Sequence, residues 1–486
     1  MASPANDGSG SALESRASLG RRRAGEGAAV KIIILGAGQV GSTAAAQLAR
    51  EQSNDVTVVD TRDEVLRDLQ DRLDIRTISG NAAHPAVLEA AGSNGADLLV
   101  AVTSSDEVNM IACQIAWTLF GTPTKIARIR SGDYYKRPEL FGENAIPVDL
   151  AISPEQLVTD YVARLIRYPG ALQVLDFADG RVRLVGMRAL KGGKLVGHQL
   201  KELRSHIPNR EVRVAAIYRK GRSIKPEGNT AIEEHDEVFF VAARQDIRPM
   251  MQELSIAESA IRRVVIAGAG NIGFRLASAL EERVQVKLIE RDQSRARRAA
   301  EALRNALVLT GDAADEELLL EENIDEADVF AAVTNAEEAN ILSAMLAKKL
   351  GARRVMALIN KPSYAELMEG GTIDIAISPQ TVTIGALLAH VRRGDVVRVH
   401  SLRRGAAEAL EAIVHNEHGD SPVAGRRVEE ISLPEGTTIG AIVRGEDVIM
   451  AHHDTTIQAD DHVILFLTDR RHVEDVGKLF QAGARA

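Results

Sequence analysis

The sequence predicts an α/β protein in which a doubly wound parallel-sheet domain and a smaller α+β domain follow one another twice. Three observations predict it. The glycine-rich segment Lys31–Gly41 recurs as Arg263–Gly273. In both copies, apolar runs too short for helices alternate with helix-length segments, the signature of strands buried in a parallel sheet. After Ser153-Pro154, and again after Ser378-Pro379, the pattern changes to short strands around tight turns.

The copies echo each other well beyond the glycines. Val58-Val59-Asp60 matches Leu288-Ile289-Glu290, Gly80-Asn81 matches Gly311-Asp312, and Ala101-Val102-Thr103-Ser104 matches Ala332-Val333-Thr334-Asn335. The offset drifts from 232 (Lys31 to Arg263) to 225 (Ala151 to Ala376) and then holds through Asp236 and Asp461. A repeat of half the chain is far too long for a solenoid unit and reads as two homologous domain pairs. The expected boundaries are a disordered extension over 1–29, a first sheet domain over 30–150 and its smaller partner over 151–256. The second pair follows over 261–377 and 378–486.

The first copy can be read element by element. Lys31–Leu35 is a strand, Ser42–Arg50 a helix, Val56–Asp60 a strand, Glu64–Leu73 a helix and Arg76–Ser79 a short strand. Leu98–Val102 is a strand, a long helix runs from about Glu107 to Phe120, and Ile126–Ile129 is a further strand. Ser153-Pro154-Glu155-Gln156 opens a helix, with Ser at the cap, Pro at the first position and Gln at the third. Val212–Ile217 and Ser223–Lys225 flank a hairpin turn at Arg219-Lys220-Gly221, and Glu237–Ala242 closes the unit. In the second copy the closing strand is His462–Leu467.

Composition narrows the function classes. A net charge of −9 disfavours nucleic acid as the main partner. Cys113 is the single cysteine, so neither an intrachain disulfide nor a cysteine metal site can form, and its apolar neighbours make it a small core residue in a reducing, cytoplasmic setting. No run of about 18 apolar residues is present to span a bilayer.

The glycine segments carry the chemistry. Each G-x-G-x-x-G follows an apolar strand, opens a helix and is followed by an acidic residue at the end of the next strand, the setting of a Rossmann-type dinucleotide fingerprint. Gly36 serves the tight turn, Gly38 the approach of a pyrophosphate and Gly41 close helix–strand packing, with phosphate at the helix N-terminus. Asp60 is placed to accept both ribose hydroxyls of an adenosine and to repel a 2′-phosphate, which disfavours NADP. NAD, NADH, ATP and ADP all present that ribose. Gly268, Gly270, Gly273 and Glu290 repeat every element, the competing reading being a copy whose glycines serve only the turn. Gly80-Asn81 and Thr103-Ser104, with Gly311, Asp312 and Thr334 in the second copy, follow later strands at the same sheet edge, where turn chemistry is the alternative. Arg128 is placed to reach a phosphate, a surface salt bridge being the competing reading, and its counterpart is taken as Ala357, so the two sites should differ in charge.

Catalytic patterns are missing from the sequence. No Tyr has a Lys four residues later, no H-E-x-x-H or G-x-S-x-G occurs, and Ser42 rather than Lys follows the first glycine loop. The twelve histidines show no catalytic spacing; His84 reads as a cap or surface residue, and the adjacent His452-His453 is a poor metal clamp. Neither catalytic nor metal-ligating residues are expected. A duplicated nucleotide site without catalytic machinery points to binding used as a signal. The rivals are a soluble NAD-dependent oxidoreductase and a pure assembly scaffold.

Several motifs in order resemble the TrkA family, peripheral regulatory subunits of bacterial Trk potassium uptake built from tandem RCK domains. They are Ile33–Gly41, Ala101–Glu107, Arg167–Val174, Glu338–Lys348 and Ile373–Gln380. The resemblance runs from about Val30 to near the C-terminus. It implies NAD or NADH binding, extending to ATP or ADP, at Gly36, Gly38, Gln39, Val40, Gly41, Asp60, Thr103 and Arg128, with Asn271 and Ile272 standing where Gln39 and Val40 do. It also implies a homo-oligomeric ring on the cytoplasmic face of the inner membrane, gating a membrane-embedded potassium transporter subunit.

Overall fold

The computed structural model describes residues 29–480, apart from 51–53, 143, 209, 256–259, 362, 365–370, 392–395, 403–406, 416–420 and 469–471. The extension expected over 1–29 lies outside the described residues except for Ala29. Contacts divide the chain into two compact units, Met1–Ser153 and Pro154–Ala486.

In the first unit the chain runs β1 (Val30–Leu35), α1 (Gln39–Leu48), β2 (Asn54–Asp60), α2 (Asp63–Arg72), β3 (Arg76–Ser79) and α3 (Pro85–Ala90). It continues as β4 (Leu98–Ala101), α4 (Asp106–Phe120), β5 (Thr124–Arg128), α5 (Gly132–Tyr135) and β6 (Leu150–Ile152). The strands lie in the order β3-β2-β1-β4-β5-β6 and all pair in parallel. Ile32–Leu35 and Leu98–Ala101 are buried throughout, as both-face burial of a parallel sheet requires. Ser105 caps α4 by accepting the Val108 N–H, and Gly121, at φ +65°, stops it in the left-handed conformation. Cys113 is buried in the α4 core, and burial pushes its thiol up to about 12, against the pull of Lys125. It is the core residue the sequence suggested.

The second unit opens with α6 (Pro154–Arg167), β7 (Ala171–Phe177), β8 (Val182–Arg188), α7 (Leu203–His206), β9 (Val212–Arg219), β10 (Arg222–Ile224), β11 (Glu237–Ala243) and α8 (Ile247–Leu254). These strands form an antiparallel sheet, β10-β9-β11-β8-β7. The hairpin loop is the two residues Lys220-Gly221, with φ of 48° and 81°, so β9 runs one residue further into the expected turn.

The parallel sheet then returns as β12 (Arg263–Ala267), α9 (Asn271–Leu280), β13 (Gln285–Glu290), α10 (Gln293–Ala302), β14 (Leu307–Thr310), α11 (Glu316–Glu321), β15 (Val329–Ala332), α12 (Glu337–Lys349), β16 (Arg354–Leu358) and β17 (Ile375–Ile377). Its order, β14-β13-β12-β15-β16-β17, repeats the first. Last come α13 (Pro379–Val391), β18 (Val396–Leu402), β19 (Ala407–Ile413), β20 (Thr437–Arg444), β21 (Asp447–Met450), β22 (His462–Leu467) and α14 (Val473–Leu479). The fourth sheet, β18-β19-β22-β20-β21, is again antiparallel.

Within this unit the two antiparallel sheets share a core. Phe177, Leu184, Tyr218 and Phe239 of one pack with Leu402, Ala441, Ile464 and Phe466 of the other. Charge is buried on both faces of the first sheet. On the face turned away from the second sheet Arg183 bonds Asp176 and the Tyr168 hydroxyl, while in the inter-sheet layer Glu411, 2% exposed at its side chain, accepts from Ala178 N–H at 2.9 Å and meets His462 Nδ1 at 2.6 Å and Arg398 at 3.3 Å. Burial opposes the Glu411 charge, but these partners outweigh it and hold its carboxyl below the usual range. Elsewhere α6 packs on α9, with Arg275 Nη1 donating to Gln156 Oε1 at 2.9 Å.

His400 sits in the inter-sheet layer, its ring edge-on to Phe177 with centroids 5.1 Å apart and Nε2 3.3 Å from the Asp176 carbonyl. Burial lowers its pKa to about 4; Arg164 and Arg398 act in the same direction and Glu411 against it. Between pH 6.5 and about 4 the unfolded chain therefore holds a proton here that the folded chain lacks. The stability His400 contributes as a neutral ring is complete above about pH 6.5 and declines as pH falls through that window. Denaturant titrations of wild type and His400→Asn at pH 7 and pH 4.5 should show the difference moving in the variant's favour at the lower pH.

Candidate nucleotide-binding site

Strand order reverses between β1 and β4, and again between β12 and β15, so each parallel sheet opens a crevice at the carboxyl ends of its central strands. The glycine turn after β1, or β12, sits in that crevice. Gly36 adopts φ +101°, and a Cβ there would stand 3.0 Å from Thr103 backbone atoms. A Cβ on Gly41 would stand 1.8 Å from the Gly36 carbonyl oxygen. These two glycines are required by the turn itself. Gly268 and Gly273 repeat the arrangement, with φ +101° and the same 1.8 Å approach.

Gly38 and Gly270 are different. A Cβ on either would meet nothing within 4 Å, so the protein's own packing gives no reason for glycine there. Each is the N-cap residue of its helix and makes no side-chain capping bond. The space a side chain would fill lies over the first-turn N–H groups of Gln39, Val40 and Gly41, or of Asn271, Ile272 and Gly273, where an anion is best held.

The acidic residues bind back to the turn. Asp60, its side chain 8% exposed, accepts from Ala37 N–H at 2.7 Å through Oδ2 and from Arg62 N–H at 2.9 Å through Oδ1, with the Arg62 Nε at 3.0 Å. Burial works against its charge, but the Arg62 side chain and the two N–H groups prevail and keep the carboxyl below its ordinary range. Glu290 does the same with one more methylene: Ala269 N–H donates to Oε2 at 2.8 Å and Asp292 N–H to Oε1 at 2.9 Å. Gly80 and Gly311 follow, each donating its N–H at 3.0 Å to the carbonyl of the acidic residue. Asn81 and Asp312 close turns onto Ala83 and Ala314 N–H at 2.9 Å.

On the far side, Thr103 is fixed by Asn109, a buried residue of α4. The Asn109 Oδ1 accepts from the Thr103 N–H at 2.9 Å and hydroxyl at 2.7 Å, while its Nδ2 donates to the Arg128 carbonyl at 2.9 Å. Asn340 ties Thr334 to Leu358 in the same way. Asp106 accepts from Arg130 and Ser131 N–H, both at 2.9 Å, and Glu337 accepts from Lys361 N–H at 2.9 Å. Ser104 is exposed at the same edge. His84 stands at the N-cap of α3 but makes no capping bond through its side chain.

One pairing of the copies is corrected. The carbonyl bonded by the asparagine belongs to Arg128 in one sheet and Leu358 in the other, so Leu358, not Ala357, is the counterpart of Arg128. The offset between the copies is 230 in this strand, one more than the pairing of Arg128 with Ala357 assumes. The difference in charge survives the correction. It also extends to Arg62, absent from the expected site, whose counterpart is Asp292.

The TrkA-N domain family matches residues 32–154 and 264–379, and the TrkA-C domain family residues 184–255 and 418–481. The Trk system potassium uptake protein TrkA of Halomonas elongata is 57% identical over 454 residues, covering 93% of this chain and 99% of its own. That of Haemophilus influenzae is 49% identical, covering 94% and 99%. The chain belongs to the TrkA family. Its fold also matches the GsuK RCK domain, with a TM-score of 0.60 at 18% identity over 94% of this chain and 96% of that one, and the GsuK channel bound to NAD, at 0.59, 18%, 94% and 79%. In the TrkA family's terms, both TrkA-N segments keep the glycine turn and its acidic partner, and α6 and α13 begin where each segment ends.

Two outcomes follow from this geometry. Gly38→Val should leave the fold and thermal midpoint nearly unchanged while abolishing binding of adenine nucleotide at the first site, read by circular dichroism and calorimetry on one sample. Asn109→Ala should lower stability by about 2–4 kcal/mol in denaturant titration, because the Thr103 N–H and the Arg128 carbonyl both lose a buried partner.

Proposed function

We infer that this chain is the nucleotide-sensing regulatory subunit of a Trk-type potassium uptake system, binding adenine nucleotides at both sheet edges without transforming them. The observation that carries the reading is the duplicated carboxylate on the glycine turn beside an unobstructed helix N-terminus. NAD or NADH fits it, with ribose hydroxyls at Asp60 and pyrophosphate at Gly38–Gly41; ATP and ADP fit the same grip. Gly80, Asn81, Thr103, Ser104 and Arg128 border the first site, and Gly311, Asp312 and Thr334 the second. Arg62 and Arg128 make the first site the more favourable for phosphate, since Asp292 and Leu358 replace them in the second.

Membership in a family of potassium uptake proteins supports a membrane-embedded transporter subunit as partner. Among the described residues no helix is long and apolar enough to cross a membrane, which suits a peripheral subunit on the cytoplasmic face. A homo-oligomeric ring is the assembly that would transmit nucleotide binding to such a partner. A binding preference of tenfold between two states is about 1.4 kcal/mol, so modest differences in contact are enough to shift it.

Asp60→Ala, measured in a Glu290→Ala background, should weaken NADH and ATP binding by roughly tenfold or more, the loss of one or two hydrogen bonds to a charged group. Unchanged affinity in calorimetry would remove the first site from the account. Substrate-dependent turnover of NADH by the purified chain would favour the oxidoreductase reading instead.

A further inference from the structure

Outside both sheet edges, the structure gathers His198, Glu202 and His206 on one side of the first antiparallel domain. One ligand atom from each lies within 4.8 Å of the other two. We propose that these three side chains form a binding site for a divalent transition-metal ion, Zn2+ in preference to Ca2+ or Mg2+.

Glu202 and His206, four residues apart from the end of a 3-10 turn (Leu200–Glu202) to the end of α7, share one helical face, and His198 stands just before Gln199, the N-cap of that turn. Each group is already oriented. Glu202 Oε1 accepts the Gln199 N–H at 3.1 Å, which leaves Oε2 facing His198 Nδ1 at 2.9 Å. The His206 Nδ1 lies 3.1 Å from Oε2 of Glu253, a side chain 9% exposed on α8. A ring nitrogen that donates to a buried carboxylate leaves Nε2 with a free lone pair, the arrangement by which proteins orient a metal-binding imidazole. Lys194, 3.5 Å from Glu253 Oε1, partners the other oxygen of that carboxylate. The two imidazole rings lie 5.2 Å apart.

The second half supplies an internal comparison. Gly197 and Gly425 donate to Ile232 and Ile457 carbonyls, and Glu202 and Glu430 each reach back to an N-cap N–H, of Gln199 and Arg427. That register puts Arg426 at the position of His198 and Pro434 at that of His206. The 3-10 turn forms with Arg426 in place of His198, so capping does not account for that histidine, and α7, which carries His206, has no counterpart helix at Ile431–Gly436. Two imidazoles and one carboxylate are a donor set for Zn2+ and its neighbours, whereas Ca2+ and Mg2+ take oxygen ligands. Three protein ligands leave a fourth position open to water or a partner. The sequence reading expected no metal site because these residues stand in no familiar motif.

The test is calorimetric titration of the untagged, chelator-stripped full chain with Zn2+ alone. About one ion per chain is expected, undisplaced by millimolar Ca2+ or Mg2+. His198→Asn, at a half-exposed side chain, and His206→Asn should each weaken binding by at least tenfold with an unchanged circular dichroism spectrum. Glu253→Gln should weaken it roughly 10–100-fold. No Zn2+ binding, binding unaltered in the double histidine variant, or displacement by equimolar Ca2+ would overturn the proposal.

Discussion

The hydrogen bonds that Ala37 N–H donates to Asp60, and Ala269 N–H to Glu290, are the constraint on which each nucleotide edge depends. They join the end of the second strand to the glycine turn and so fix where that turn lies above the sheet. Gly36 and Gly41 make the turn possible by admitting a left-handed backbone and a contact no side chain would allow. Asn109 and Asn340 hold the opposite wall through bonds that use both ends of the amide. The crevice is thereby set from both sides, with its floor at the start of a helix.

The second copy shares a compact unit with both antiparallel domains. Its glycine-turn helix, α9, packs on α6, the helix that opens the first antiparallel domain, and Arg275 bonds Gln156 across that contact. The first antiparallel sheet, which follows α6, shares a buried layer with the second through Phe177, Phe239 and Phe466. The buried Glu411 carboxylate favours this meeting of the sheets, since an arrangement that broke its bond from Ala178 N–H of the other domain would be costly.

Much of this was legible in the sequence, because the sheet domains obey strong local rules. Arg76–Ser79 and His462–Leu467 match their observed limits, and the other four strands expected in the first parallel sheet lie within about two residues of theirs, while β6 was not read. The strands β7, β8, β18 and β19 were not read. Arg183 stands within β8, and Glu408 and Glu411 within β19, all buried; charges that find partners only in the folded layer break the apolar pattern by which a buried strand is recognised. Arg62 was missed because it makes its place by folding back onto Asp60, and Asn109 because its two partners, Thr103 and Arg128, belong to different strand ends. The metal cluster was invisible for the same reason: Glu253, 47 residues beyond His206, is what orients the ring.

As proposed, each half grips the ribose of an adenine nucleotide with its strand-end carboxylate and the phosphates with its helix N-terminus. A crystal structure of the full chain grown with NADH should show the adenosine ribose hydroxyls within hydrogen-bond distance of the Asp60 carboxylate and the pyrophosphate over Gly38. A saturated crystal with the ligand elsewhere and both glycine turns bare would contradict it.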